Sequence, residues 1–194
     1  LAGDALMVMD AVGFESAHVL GISMGGMVAQ ELALAAPQRL RSLTLGCTYP
    51  GGEGSSLADP ADAQVLVEAL ASGNQDTAFR AMYEMNLSPG FRADETHYAD
   101  FTAVAGALPA RQATIQLQLQ ALVGHDAQSR LAEIAAPTLV IHGTADKMIP
   151  SANGELIASL IPGARLELLE GVGHMFWWEQ PDRSAELIRS HALA

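Results

Sequence analysis

One serine lies in a pattern that suits nucleophilic chemistry. Gly21-Ile22-Ser23-Met24-Gly25 fits G-x-S-x-G, in which the serine occupies a sharp turn between a strand and a helix. We expect glycine at both flanking positions because a larger side chain would clash there. The helix after the turn directs free N–H groups at the negative charge that develops during reaction. The pattern predicts a nucleophilic Ser23, and an ordinary glycine-rich turn is the alternative.

A serine hydroxyl needs a base, and the base needs an acid that orients it. Asp146 follows one predicted strand in HGTADKMIP, and His174 follows another in EGVGHMFWWEQP. Taken singly, Asp146 could be a helix cap or turn residue, and His174 a hydrogen-bonded polar residue under a loop. Their order after the serine, at three strand ends, favours a Ser-Asp-His triad.

The other histidines are weaker candidates for chemistry. His18 and His142 lie in or beside predicted strands, where structural hydrogen bonds are expected. His97 and His125 lie in a predicted insertion, and His191 lies in the last helix. No cluster has the spacing of metal ligands, so we expect neither a metal nor another cofactor.

Strands and helices alternate at both ends of the chain, which indicates a parallel sheet covered on both faces. The strands are predicted at Ala17–Ile22, Leu40–Cys47, Pro137–His142 and Ala164–Leu169. The helices beside them are predicted at Leu1–Gly13, Met27–Ala36, Ser151–Leu160 and Pro181–Ala192.

The middle of the chain reads as a helical insertion. A linker rich in Gly and Pro at Tyr49–Gly54 is followed by a helix that starts at Asp59-Pro60. Further helices are predicted at Thr77–Leu87, Glu95–Val104 and Ala110–Val123. We therefore predict core segments at 1–50 and 131–194, with a helical cap at 51–130.

Composition excludes several classes of protein. The 194 residues are 49% hydrophobic, which is typical of a folded chain. A net charge of −12 argues against nucleic-acid binding, because phosphates would repel it. No apolar run approaches the roughly 20 residues of a membrane span, and no signal peptide opens the chain. The single cysteine, Cys47, excludes an internal disulfide and fits a reducing compartment. We expect a cytoplasmic protein that binds neither nucleic acid nor membrane.

Three segments resemble the α/β-hydrolase superfamily: GISMGGMVAQELALAAPQRLRSLTL, PTLVIHGTADKMIP and LELLEGVGHMFWWEQPD. Within it, the chain resembles small hydrolases of the 3-oxoadipate enol-lactonase and carboxylesterase type. The resemblance implies Ser23 as nucleophile, His174 as base, Asp146 as acid and the N–H of Met24 in the oxyanion hole. It also implies that the insertion is the cap that shapes substrate choice.

The resemblance also implies a sheet of eight strands, and this chain has room for about four. We therefore expect a truncated α/β-hydrolase of mainly parallel strands, without the strands and the loop that normally precede the nucleophile. That loop supplies a second oxyanion donor.

The implied activity is a serine hydrolase that cleaves small-molecule carboxylic esters or lactones through an acyl-enzyme and needs no cofactor. We expect weak turnover, best on short activated esters. The same triad also serves C–C hydrolases and perhydrolases. The alternative is a catalytically silent binding or assembly module.

The first residues predict how the chain associates. In the complete fold, the strand AHVLGI lies in the middle of the sheet, beside a strand that this chain lacks. It therefore becomes a sheet edge, and it contains no Pro, Lys or acidic residue that would hinder pairing with another strand. Apolar surface from Leu6, Met9 and Met27 would be exposed beside it. We therefore predict a homodimer or higher oligomer through the region Leu1 to Ile22, with two strands paired antiparallel across a two-fold axis.

Light scattering on the purified chain, with intact mass to define its ends, tests this association. The alternative hypothesis is that the missing segment exists, as a separate chain or as further residues, and itself occupies the place beside this strand. A stable, soluble monomer of 20.3 kDa at high concentration would contradict the prediction.

Overall fold

Four parallel strands form one sheet at the centre of the protein. A computed structural model describes residues 1–107 and 112–194. The strands are β1 (Ala17–Ile22), β2 (Leu40–Gly46), β3 (Thr138–Gly143) and β4 (Arg165–Leu169). They lie in the order β1-β2-β3-β4, and each neighbouring pair is parallel. The predicted sheet is confirmed, and the carboxyl ends of all four strands lie along one edge.

Helices flank the sheet and fill the segment between β2 and β3. The chain segments around the strands contain α1 (Ala2–Ala11), α2 (Met24–Ala35) and a 3₁₀ helix at Pro37–Arg39. Between β2 and β3 lie α3 (Pro60–Ala71), α4 (Gln75–Asn86), α5 (Pro89–Arg92), α6 (Thr96–Ala107), α7 (Gln112–Val123) and a 3₁₀ helix at Gln128–Glu133. The chain closes with α8 (Ala152–Leu160), α9 (Phe176–Glu179) and α10 (Pro181–Ala192).

The segment between β2 and β3 is helical as predicted, and none of its described residues forms a strand. The side chain of Asp59 accepts a hydrogen bond from the N–H of Ala61 at 2.8 Å, and Pro60 follows the cap, so α3 begins as expected. The predicted start of one helix, Ala110, lies outside the described residues. The division into core and cap stays a prediction. No helix in the described part of the chain is long and apolar enough to cross a membrane.

The sheet separates two apolar clusters, and β3 contributes to both because it is covered on each face. Val140 belongs to the cluster on one face, and Leu139 and Ile141 belong to the cluster on the other. The first cluster includes Leu32, Leu43, Leu131 and Ile157, and the second includes Leu169, Val172, Phe176 and Leu187. This double coverage explains why β3 is apolar along its length instead of alternating.

The predicted exposure of apolar surface beside β1 is wrong for Met9 and Met27. Met9 and Met27 are only 8% and 3% exposed, and Leu6 packs partly against the core. Met7, Val8 and Val12 are exposed instead, at 63%, 62% and 58%. Apolar residues occur all around α1, so its sequence does not determine which face turns inward. The structure contains one chain, and the homodimer stays a prediction.

Candidate active site

The three predicted catalytic residues follow the carboxyl ends of three parallel strands. Ser23 directly follows β1, Asp146 lies in the loop after β3, and His174 lies in the loop after β4. Because the strands are parallel, these loops share one edge of the sheet, which is where open α/β sheets bind ligands.

The turn at Ser23 is strained and well supported. Ser23 has φ 55° and ψ −124°, a backbone conformation that residues other than glycine rarely adopt. Its carbonyl accepts hydrogen bonds from the hydroxyl of Thr48 at 2.7 Å and from the N–H groups of Gly26 and Met27 at 2.9 and 3.3 Å. Its own N–H donates to the carbonyl of Gly46 at 2.9 Å. These bonds hold the serine between strand and helix, as the sequence pattern predicts.

The glycine requirement differs from the prediction at one position. A Cβ on Gly21 would lie 2.2 Å from the carbonyl oxygen of Gly25, and one on Gly26 would lie 2.5 Å from Cβ of Thr48. A Cβ on Gly25 would meet nothing within 4 Å. The expected clash at both flanking glycines is therefore wrong for Gly25. The two tight positions are Gly21, where β1 contacts α2, and Gly26, where α2 contacts the end of β2.

His174 and Asp146 form a buried hydrogen-bonded pair. Nδ1 of His174 lies 2.7 Å from Oδ2 of Asp146, and both side chains are buried. The other carboxylate oxygen accepts the N–H of Ile149 at 2.9 Å. Gly171, with φ 71°, lets the loop before His174 turn. The structure thus brings two of the three predicted residues into direct contact.

A second imidazole contacts the same carboxylate. Nε2 of His142 lies 3.3 Å from Oδ2 of Asp146 and 2.8 Å from the carbonyl oxygen of Ile149, while its Nδ1 has no partner among the described residues. A proton on Nε2 is favoured, because a proton on Nδ1 would be a buried donor without an acceptor. We predicted a structural hydrogen bond for His142, and the contact with Asp146 was missed. In the sequence, this contact is indicated only by the separation of four residues between His142 and Asp146 at the end of β3.

These contacts keep Asp146 ionised. Burial by itself raises the pKa of the Asp146 carboxyl, but hydrogen bonds from His142 and His174, the charge of His174 and the N–H of Ile149 outweigh it. The pKa is lowered from 3.8 to about 2. A carboxylate that stays charged at neutral pH can orient His174 and stabilise its imidazolium form.

The histidines outside this cluster make other contacts. His18 bonds the hydroxyl of Ser42 at 2.9 Å, and His97 bonds the carbonyl of Phe91 at 2.9 Å. His191 reaches the carbonyl of Leu43 at 3.1 Å. His125 is buried, with Nδ1 at 3.7 Å from Oε1 of Glu31. The prediction of a structural bond for His18 is confirmed.

Cys47 joins the acid cluster, a proximity that the sequence did not indicate. Its sulfur and the ligand atoms of His142 and Asp146 lie within 4.8 Å of one another. Burial, reinforced by the charge of Asp146, raises the pKa of the Cys47 thiol well above its usual value, so the sulfur stays protonated. The carboxylate already accepts bonds from His174 and Ile149, and a cation here would have to displace them.

Ser23 opens into an apolar cavity of about 470 Å³. Its lining comes from Ser23, the linker, the cap and the loop after Asp146: Tyr49, Ser56, Leu57, Ala58, Pro60, Ala63, Leu122, Met148 and Ile149. Met24 is the first residue of α2, and its N–H has no acceptor among the described residues. Within residues 1–107 and 112–194, no hydrogen bond joins the Ser23 hydroxyl to His174, so the complete triad remains a proposal.

Comparisons with known proteins agree with this architecture. A family model described as alpha/beta hydrolase fold matches residues 1–181. A protein of Azorhizobium caulinodans with the provisional name carbamate hydrolase RutD is 30% identical over 190 residues, 97% of this chain and 70% of that protein. A 2-hydroxy-6-oxo-6-phenylhexa-2,4-dienoate hydrolase of Comamonas testosteroni is 32% identical, over 90% of this chain and 62% of that protein.

A solved structure shows the same fold. The enol-lactonase from Burkholderia xenovorans LB400 has a TM-score of 0.83 at 22% identity, over 100% of this chain and 72% of that one. The chain thus spans 62 to 72% of the length of these three proteins.

The glycine contacts predict unequal effects of alanine substitution. Gly21→Ala and Gly26→Ala should each lower the free energy of unfolding by about 1–3 kcal/mol, because backbone or a buried threonine must move. Gly25→Ala, the matched control, should change it by less than about 0.5 kcal/mol, since it has space and alanine favours helix. Urea denaturation measures all three. Equal losses at Gly25 and Gly21 would contradict this assignment.

The lowered pKa of Asp146 predicts a pH dependence of stability. A carboxyl with a depressed folded pKa stabilises the fold above its unfolded value of 3.8 and loses that contribution as the pH falls toward about 2. Over this window, the parent should lose about 2 kcal/mol more than Asp146→Asn. Asp100→Asn, an exposed carboxylate change, is the control. Urea denaturation at several pH values measures the free energy of unfolding of each variant. If this free energy depends on pH in the same way in the parent and in Asp146→Asn, the prediction is wrong.

Proposed function

Because the chain belongs to the alpha/beta hydrolase fold family, we propose that it is a serine hydrolase that cleaves carboxylic esters or lactones through an acyl-enzyme. The observation that carries this proposal is the 2.7 Å hydrogen bond between His174 and Asp146, at the same sheet edge as the strained turn of Ser23. A buried acid paired with one imidazole nitrogen leaves the other nitrogen available as a base.

The reaction then runs in two halves. Ser23 Oγ attacks the carbonyl carbon while Nε2 of His174 accepts the hydroxyl proton, and Asp146 stabilises the imidazolium. The bond to the leaving oxygen breaks, and His174 returns the proton to that oxygen. Water repeats the same steps on the acyl-enzyme, so the acid leaves and Ser23 regains its proton.

The N–H of Met24 is the proposed oxyanion donor. It lies at the first position of α2, where the helix dipole favours negative charge. Loss of one of two oxyanion donors costs on the order of 10²–10³ in turnover. If Met24 acts alone, activity should be weak and best on activated esters, whose leaving groups need little stabilisation.

The cavity beside Ser23 favours neutral, apolar acyl groups. Of the described residues that line it, none carries a formal charge, and most are aliphatic or aromatic. An acyl group that bears a carboxylate would lose hydration there without gaining a cation or a strong donor. A short alkyl chain would instead gain free energy from burial, at about 0.8 kcal/mol for each CH₂.

The same argument favours a neutral ester over the charged substrate that is named for one relative. The Comamonas testosteroni relative is named for a dienoate, which is a carboxylate. The uncharged lining of the cavity supports a neutral ester or lactone over such a substrate.

A series of 4-nitrophenyl esters tests the proposal. We expect measurable hydrolysis of the acetate and butyrate, and at least tenfold lower kcat/KM for the hemisuccinate, whose acyl chain ends in a carboxylate. Ser23→Ala should reduce each rate to that of buffer, because no other nucleophile is proposed. A fluorophosphonate probe should label the parent and leave Ser23→Ala unlabelled.

The controls separate the possible failures. Ser42→Ala removes a buried serine outside the cavity, and this variant should still be labelled. A parent that is neither labelled nor active would instead favour the silent binding module. Equal ester hydrolysis by parent and Ser23→Ala would exclude Ser23 as nucleophile, and a preferred hemisuccinate would refute the apolar acyl site.

A further inference from the structure

The carboxylate of Glu179 connects two segments that are far apart in the chain. Its Oε1 accepts the N–H of Ser88 at 2.8 Å and the N–H of Gly173 at 3.0 Å. Its Oε2 accepts the hydroxyl of Ser88 at 2.5 Å. Ser88 lies between α4 and α5 of the insertion, and Gly173 directly precedes His174. One side chain therefore binds the insertion and the histidine loop together.

The two segments are in close contact around this carboxylate. The N–H of Met175 donates to the carbonyl of Asn86 at 3.1 Å, so the backbone on the far side of His174 also bonds the insertion. A Cβ on Gly173 would lie 2.8 Å from the Asn86 carbonyl oxygen, the Ser88 nitrogen and Oε1 of Glu179. Glycine at this position allows the histidine loop to press against residues 86–88.

We propose that Glu179 is a positioning residue that fixes the His174 loop to the segment 86–88, so that the insertion and His174 are placed together. This inference rests on the proposed role of His174 as the base. The side chain of Glu179 accepts three hydrogen bonds, and without it the N–H groups of Ser88 and Gly173 would lose their acceptor. Glu179 acts through the loop and does not contact the reacting atoms.

Removal of the carboxylate should loosen the histidine. In Glu179→Ala, the rate at which a small fluorophosphonate labels Ser23 should fall about 10–100-fold, because two backbone donors lose their acceptor. Glu179→Gln should stay within about threefold of the parent, since its amide oxygen can still accept both N–H groups. Rescue by glutamine distinguishes positioning from an effect of the negative charge.

Matched variants control for a loss of stability. Glu186→Ala removes an exposed glutamate of α10 that bonds Arg183, and labelling should be unchanged. Ser88→Ala removes only the hydroxyl bond to Glu179 and the cap of α5, and should slow labelling less than Glu179→Ala does. If Glu179→Ala does not fold, Ser88→Ala and Glu179→Gln still provide the comparison.

Hydrogen exchange gives a readout that does not need activity. The amides of Ser88 and Gly173 should exchange at least tenfold faster in Glu179→Ala than in the parent, and at nearly the parent rate in Glu179→Gln. Unchanged exchange at both amides would overturn the inference. Faster exchange with unchanged labelling would also overturn it, because the contact would then not position His174.

The outcomes remain distinct from those of the proposed function. A parent that is not labelled would defeat the serine hydrolase, and exchange at Gly173 would still decide whether Glu179 holds the loop. If the parent and Glu179→Ala are labelled at the same rate, only the positioning role of Glu179 is contradicted.

Discussion

A buried carboxylate is costly unless donors surround it, and the site depends on how Asp146 meets this constraint. Three donors approach it: the ring nitrogens of His174 and His142 and the N–H of Ile149. His142 belongs to β3, Ile149 to the segment after β3, and His174 to the loop after β4. The carboxylate can therefore be both buried and charged only when these segments are in place, which links its ionised form in the folded protein to the structure of the sheet edge.

The serine side of the edge is held by different means. In the described part of the chain no charged group bonds Ser23, and hydrogen bonds from Thr48, Gly26 and Met27 to its carbonyl offset the strain of its backbone. Gly21 and Gly26 allow β1, α2 and the end of β2 to approach closely enough for those bonds. Asp146 is held by bonds to its side chain and Ser23 by bonds to its backbone together with close glycine packing, and the parallel sheet brings both to one edge.

The sequence predicts those features that local pattern encodes. The bounds of β1 and α10 and the order of Ser23, Asp146 and His174 could be read directly, since alternation, caps and glycine turns are short-range signals. The contacts of Cys47 and Glu179 could not, because they join segments distant in sequence. The contact of His142 with Asp146, four residues away, depends on the path of the chain after β3. The burial of Met9 was not predicted, because apolar residues lie on every face of α1 and the sequence does not show which face packs inward. The free space at Gly25 was missed because a sequence pattern gives spacing but not the position of neighbours.

The Asp146–His174 pair and the cavity wall also differ in how far they tolerate substitution. Asp146 and His174 follow strands whose side chains fill two apolar clusters, so most substitutions in these strands would disturb the core. The cavity wall comes mainly from the linker, from α3 and from Leu122, which lie outside the sheet. Substitutions in this wall can alter the acyl group that fits without moving His174 or Asp146. Proteins similar to this chain in sequence or in fold carry names for a carbamate, a dienoate and an enol-lactone, so substrate class must be argued from the cavity wall rather than from the fold.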